Sequence, residues 1–253
     1  MTRDELVKFL DETLELQNFS GDVSNNGLQV EGKSEVNKVM FAVDGCQEVF
    51  EMAAAEKADF IFVHHGISWG GGLKRWVGSD ARRFATLFGN GISLYGAHLP
   101  LDAHKVYGHN ALLSDMIGME KREDFFEYDG VYIGFCGEVT APRTLAELAA
   151  GLGGTLEVEP LLRGDKDKII RRAAIVSGGG GVDAVYAAAT AGADVLVTGE
   201  MEHIMHHAAL ESGVAVIALG HYASETCGVL AMQKLIGEKF GVETVFAEVP
   251  TGL

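Results

Sequence analysis

The chain lacks what several functions would require. Its 253 residues carry 20 Lys and Arg against 36 Asp and Glu, a formal charge of −16. Binding along a phosphate backbone needs clustered cations, and no basic block or aromatic-interleaved basic patch occurs. Nucleic acid is therefore excluded as a partner, and an acidic surface adheres poorly to anionic membranes. No apolar run reaches the ~18 residues of a membrane span. Met1-Thr2-Arg3-Asp4-Glu5 opens an amphipathic stretch and not the apolar core of a signal peptide. Three cysteines, Cys46, Cys136 and Cys227, are odd in number and form no CxxC pair. They exclude a disulfide framework and point to a reducing cytoplasm. Each reads first as a small core residue; Cys227 also lies two residues after Glu225. Aromatics are few, at 8%, while 47% of the chain is apolar. That suffices for a sizeable core in one large domain or two lobes.

What is present is a set of four apolar runs, each ending in a metal-binding side chain. Phe60-Ile61-Phe62-Val63 ends in His64-His65-Gly66, and Ile92 to Ala97 ends in His98-Leu99-Pro100-Leu101-Asp102. Asp194 to Gly199 ends in Glu200, with His203 following; Val214 to Gly220 ends in His221, with Glu225 four residues on. Runs of this kind read as buried parallel strands. Ligands of open α/β sheets bind beyond the carboxyl ends of such strands. Imidazoles and carboxylates arriving there are the raw material of a metal site.

The pattern occurs twice. Lys38 to Asp44 corresponds to Arg172 to Gly178, and Ala58 to His65 corresponds to Ala193 to Glu200; the offsets are 134 and 135 residues. A helix-like stretch lies between the two strands in each half, Gln47 to Lys57 and Val182 to Ala191. A third strand follows in both. Generic βαβ patterning would give part of this likeness; matching ligand-type positions favours duplication. The expected fold is α/β, with duplicated three-layer α/β lobes, residues 1–125 and 126–253, and the metal site between them. Thr2 and Glu5 form a capping box for a helix to about Leu16. The charged stretch Lys121-Arg122-Glu123-Asp124 marks the boundary. Val131 to Val139 reads as a strand and Pro142 to Leu152 as a helix, ended by Gly151, Gly153 and Gly154. Thr155 to Val158 then extends, and a last helix covers about Ser224 to Phe240.

Gly27 to Ser34 fits the P-loop pattern GxxxxGK[ST], but it follows a polar stretch and precedes a strand, so the context that makes phosphate binding work is missing. Leu28-Gln29-Val30 reads as a short strand. Ser177-Gly178-Gly179-Gly180-Gly181 is a strand-to-helix turn that needs positive φ; a backbone cradle for a substrate phosphate is the alternative. Adjacent strand residues point to opposite faces, yet at a strand end His64 and His65 can converge on one edge. Asp102 is either a helix N-cap or a metal-bridging carboxylate. His221 and Glu225, at i and i+4, share one face if helical. His98 and His104 flank Asp102 and suit orienting roles; His109 and His206 read as structural or solvent-facing. Glu200, His203 and His207 could form a separate site on one helical face, although a charged solvent face is the commoner meaning of such spacing.

At these residues the chain resembles the GTP cyclohydrolase 1 type 2 homologues, also called Ngg-interacting-factor-three-like proteins. The resemblance rests on His64-His65-Gly66, His98-Leu99-Pro100-Leu101-Asp102-Ala103-His104, Ser177-Gly178-Gly179-Gly180, Thr198-Gly199-Glu200 and Gly220-His221-Tyr222-Ala223-Ser224-Glu225. Asn26-Gly27-Leu28-Gln29-Val30 resembles the family's N-terminal signature. The resemblance implies a dinuclear site of His64, His65, Asp102, His221 and Glu225, with Asp102 and Glu225 suited to bridging, and a ring-shaped homohexamer. Mixed imidazole and carboxylate ligands accommodate two divalent ions of zinc, iron or manganese. Glu200 and His203, at the equivalent edge of the second half, are the acid–base candidates. The expected function is a cytoplasmic dinuclear metal-dependent hydrolase; the resemblance points to a purine nucleotide such as GTP as the small-molecule substrate. A metal-binding protein for storage, delivery or sensing is the alternative. An interaction scaffold with structural metals is disfavoured, because structural sites are closed and tetrahedral.

Overall fold

A computed structural model describes residues 1–72 and 75–253. Two compact units divide the chain: Met1–Leu101 with Gly228–Val249, and Asp102–Cys227 with Pro250–Leu253. Against the expected boundary at 125/126, the division falls between Leu101 and Asp102, and a later segment returns to the first unit.

The first unit opens with helix α1 (Arg3–Thr13), started by the expected capping box: Thr2 Oγ1 accepts from Glu5 N, and the Glu5 carboxylate accepts from Thr2 N. Strands β1 (Gly27–Val30), β2 (Lys38–Asp44), β3 (Phe60–His65) and β4 (Ser93–Gly96) follow, with α2 (Gln47–Ala55) and α3 (Ser79–Asn90) as the crossovers. The short helix α4 (Leu99–Ala103) comes directly after. The sheet order is β1-β4-β3-β2-β11, where β11 (Glu243–Phe246) is reached through α10 (Thr226–Phe240). β2, β3, β4 and β11 are parallel, and β1 is an antiparallel edge. Alternation along the strands sends Met40, Ala42, Ile61, Val63 and Leu94 against Val49, Phe50 and Ala53 of α2 and Phe84 and Leu87 of α3. On the other face Phe41, Phe62 and Tyr95 are neighbours across three strands, with ring centroids 5.6 and 5.8 Å apart. The Tyr95 hydroxyl donates to Asp11 of α1 at 2.8 Å, so the buried phenol has its partner. The P-loop reading fails here as expected: its first half is the antiparallel strand β1.

The second unit contains α5 (His109–Met116), β5 (Met119–Tyr128), β6 (Val131–Thr144), α6 (Leu145–Leu156), β7 (Leu161–Arg163), β8 (Ile169–Val176), α7 (Gly181–Thr190), β9 (Val195–Thr198), α8 (Met205–Ser212), β10 (Ala215–Ala218) and α9 (His221–Ser224). Its sheet order is β5-β6-β8-β9-β10-β7. β8, β9 and β10 are parallel; β6 and β7 pair antiparallel with β8 and β10. Ala173, Ile175, Val195, Val197, Ala215 and Ile217 form one core face with Leu145, Leu148 and Leu152 of α6 and Cys227. α7 and α8 pack on β8, β9 and β10 as the crossovers.

The two sheets therefore share one arrangement: three consecutive parallel strands with the second in the middle, and an antiparallel edge strand beside the third. That agrees with the expected duplication at the level of strand order. The connection between β6 and α6 departs from expectation. Pro142 lies in β6, and the helix starts at the Thr144/Glu147 capping box. Gly151, Gly153 and Gly154 sit inside α6, and 155–156 continue it. Lys121 to Asp124 is not a break but part of β5, an edge strand whose charged side chains suit exposure. None of the three cysteines forms a disulfide; Cys136 and Cys227 lie in the core and Cys46 is half-buried. No helix among the described residues is long and apolar enough to cross a membrane.

Candidate metal centre

In the first unit the end of β3 sets His64 and His65 side by side, with ring centroids 4.4 Å apart. The convergence expected of adjacent residues at a turning strand end is what the geometry gives. His98, just after β4, joins them: one ligand atom from each of His64, His65 and His98 lies within 4.8 Å of the others. From sequence His98, which flanks Asp102, reads as an orienting group.

Each of these imidazoles has its Nδ1 engaged by an oxygen. His64 Nδ1 lies 2.9 Å from the Ala97 carbonyl, His65 Nδ1 2.9 Å from Asp44 Oδ1, and His98 Nδ1 2.9 Å from Asp22 Oδ1. An acceptor on one ring nitrogen keeps the proton there and leaves Nε2 as the basic atom. Asp44 is the register partner of His65 on the neighbouring strand, so the sheet itself aims that ring. The segment before and within β1 aims His98. Asn26 Oδ1 accepts from His98 N at 2.8 Å, and Asp22 Oδ2 accepts from Leu99 N at 3.1 Å. Gln29 Oε1 accepts from Ile67 N and Ser68 N at 2.8 and 3.1 Å, clamping the loop behind His65. The N-terminal signature is thus a support for the imidazole set.

In the second unit His221 opens α9 after Gly220, and its two ring nitrogens meet two carboxylates. Nδ1 is 2.6 Å from Glu200 Oε1, and Nε2 is 3.2 Å from Glu225 Oε1. Glu225 is 3% exposed, a degree of burial that a carboxylate tolerates only with charged or hydrogen-bonded partners. The Gly-rich turn is the reason it fits. Gly178 has φ +60°, and a Cβ there would run into Glu225 Oε1. Gly179 faces the Glu200 carboxylate. An anion would meet these carboxylates, so the turn reads as a close-approach device and not as a phosphate cradle.

Asp102 is inside α4 and buried, not an N-cap. Ser177 Oγ donates to its Oδ1 at 2.9 Å, and Asn110 ties the same corner through Ser177 N. His109, read from sequence as structural, is fully buried on α5 with a ring nitrogen within 4.8 Å of the Asp102 carboxylate. No strand-end pattern marks it, so sequence reading had no route to it. His104 Nδ1 accepts from Val106 N and Tyr107 N and caps a turn. His203 is exposed in the turn before α8 and belongs to no ligand group found among the described residues. Glu200 and His203 precede α8, so the alternative site with His207 on one helical face does not form.

Without metal His221 is a cation at neutral pH. The hydrogen bond to Glu225 first, then the charge of Glu225 and the contact with Glu200, raise its pKa to about 9 against the opposing effect of burial. A folded pKa above the unfolded value near ~6.5 stabilises the metal-free fold fully below that value. The contribution disappears as pH rises through about 9. The melting temperature of metal-free protein should therefore fall between pH 6.5 and 9, and Glu225→Gln should flatten that slope. A ligand nitrogen must also lose its proton to bind an ion. Heats of metal uptake at pH 7 should then vary with the ionisation enthalpy of the buffer; invariant heats would mean that His221 takes no part.

The sequence profile described as Duf34/NIF3 (NGG1p interacting factor 3) matches residues 1–252. A protein of Pyrococcus abyssi described as a GTP cyclohydrolase 1 type 2 homolog is 44% identical, with the whole of both chains aligned. One of Archaeoglobus fulgidus with the same description is 46% identical over 98% of each chain. Among solved structures, protein ybgI, described as of unknown function, has a TM-score of 0.92 at 35% identity over the full length of both chains. TTHA1606 from Thermus thermophilus has a TM-score of 0.88 at 41% identity over the same coverage.

Proposed function

The chain belongs to the Duf34/NIF3 family, and from that premise we propose that it is a dinuclear metal-dependent hydrolase acting on a purine nucleotide such as GTP, with ring opening of the base as the reaction. The observation that carries the proposal is the common setting of His64, His65 and His98: each Nδ1 is held by an oxygen, and one nitrogen of each meets the others within 4.8 Å. Imidazoles arranged this way fit divalent ions of zinc, iron or manganese. Asp102, His221 and Glu225 complete the proposed set, with the two carboxylates as bridges.

Two divalent ions held there would supply Lewis acidity and lower the pKa of water. The protein's own groups do the rest. Ser177 orients the Asp102 carboxylate through Oδ1. Glu200 orients His221 and holds the proton at Nδ1. From that place Glu200 is also the proposed proton acceptor, and His203 on the exposed turn the proposed donor. The description of the relatives supports a nucleotide substrate, and three cysteines outside any disulfide support a cytoplasmic setting. A ring-shaped homohexamer is the proposed assembly, which sedimentation would check.

The test is turnover of GTP and a panel of phosphoesters by protein reloaded with zinc, iron or manganese. Glu200→Gln keeps an amide oxygen that can still accept from His221 Nδ1, so it should hold its metal and lose roughly 10²–10⁴-fold in turnover, the usual loss for an acid–base group. No turnover by any metal form on any of these substrates would remove the hydrolase and leave the metal storage or delivery reading.

A further inference from the structure

The loop that follows the two histidines presents an aromatic ring to solvent. Trp69 is 37% exposed, although the loop around it is tightly held. Ile67 N and Ser68 N donate to Gln29 Oε1, Asn25 Nδ2 donates to Ser68 Oγ at 2.8 Å, and Gly70 N donates to the Val23 carbonyl at 2.6 Å. The indole Nε1–H donates to the Gly66 carbonyl at 2.9 Å, which fixes the ring's rotation. A ring exposed on a loose loop means little. A ring exposed on a loop with this many fixed points is a surface held in place before anything binds.

That surface borders the imidazole set. The indole centroid is 5.1 Å from that of His98, edge to face at 74°, and 6.2 Å from that of His65. Val23, whose carbonyl accepts from Gly70 N, is 50% exposed. Residues 66–72 contain no charged side chain. The chemistry on offer is a neutral π-face beside basic nitrogens, not a cradle for phosphate.

We propose that Trp69 is a specificity-determining residue: its indole is the shelf on which a planar heteroaromatic ring of the substrate stacks, beside the nitrogens of His64, His65 and His98. Placing that ring at a reaction centre rests on the reading of those histidines as metal ligands; the stacking itself does not. Stacking tolerates any flat ring, because each presents a π-face. The shelf therefore selects nucleobase-, pterin- or flavin-like rings over sugars and simple phosphoesters. An edge-to-face contact alone, serving only to pack His98, is the competing account.

The chain has two tryptophans, so Trp76→Phe leaves Trp69 as the only indole emitter. Guanosine, pterin and riboflavin are titrated into the metal-loaded Trp76→Phe protein, with ribose 5-phosphate as the ringless control. At least one flat probe should quench Trp69, and ribose 5-phosphate should not. Trp69→Leu should weaken calorimetric binding of that probe roughly 5- to 100-fold, the range expected of one base–aromatic stack, with metal content unchanged. Trp69→Phe, which keeps a ring, should recover most of the affinity. Quenching by none of the three probes overturns the proposal, as does equal affinity in Trp69→Leu. Metal loss in Trp69→Leu also overturns it, because the indole would then be packing for His98. If wild type takes up no ion yet a flat probe still stacks on Trp69, the metal reading fails and the shelf stands.

Discussion

His65→Ala is expected to cost the protein metal without costing it the fold. His65 is the last residue of β3 and 20% exposed at its side chain, so its removal opens no sealed cavity. Asp44, which loses its imidazole partner, is 33% exposed at its side chain and can turn to water. The packing of β2, β3 and β4 against α2 and α3 uses none of these atoms. Circular dichroism and the unfolding midpoint should stay near wild type. Metal uptake is another matter. Removing a group that merely orients a ligand typically costs ~10–100-fold in affinity, and removing a ligand should cost at least the upper end of that range. Metal per chain, measured after dialysis against a buffered free-ion concentration, should fall below the wild-type value. Unchanged metal would take His65 out of the ligand set. Unfolding would make the ring a structural element of β3.

The strands and their ligand-bearing ends were legible because burial on both sides writes a continuous apolar run, and Phe60 to His65 or Ala215 to Ala218 can be little else. The repeat was legible for the same reason, and the strand orders agree with it. The misreadings come from places where tertiary contact outweighs local preference. Gly153 looks like a helix end, yet a Cβ there would meet Pro160 and the Val158 carbonyl, so the glycine serves a close approach inside α6. Thr144 and Glu147 form a capping box that the sequence does carry; Pro142, a more conspicuous signal, places the helix start three residues before Leu145. β11 pairs with β2, some two hundred positions away, and no local pattern announces that return. The candidate site divides likewise. His64, His65, Asp102, Glu200, His221 and Glu225 stand at strand ends or just past them. His98 was visible, but its place beside His64 and His65 comes from the Asp22 and Asn26 contacts, and His109 reaches Asp102 only through the packing of α5.

Gly178→Ala should damage stability and the second half of the site together. The residue sits at φ +60°, where a Cβ costs roughly 1–2 kcal/mol in an L-residue. The added methyl would also run into Glu225 Oε1, with His221 Nε2 at 3.1 Å. The backbone cannot easily withdraw. Gly178 N donates to Ser224 Oγ at 2.9 Å, and its carbonyl accepts from Gly199 N, Glu200 N and Thr198 Oγ1 at 2.9, 3.0 and 3.2 Å. Glu225 has little room to swing out, being buried and paired with His221. Overpacking of this kind adds about 1–3 kcal/mol, so the combined loss should be about 2–5 kcal/mol in denaturant unfolding. Metal affinity should drop with it, because the displaced carboxylate is one of the proposed bridges. Gly179→Ala is the control: a Cβ there comes no nearer than 3.7 Å to the Glu200 carboxylate, and its φ lies outside the left-handed region. If Gly178→Ala proves as stable and as metal-rich as Gly179→Ala, the turn does not hold Glu225 in place, and the glycines would have to be explained by chain reversal alone.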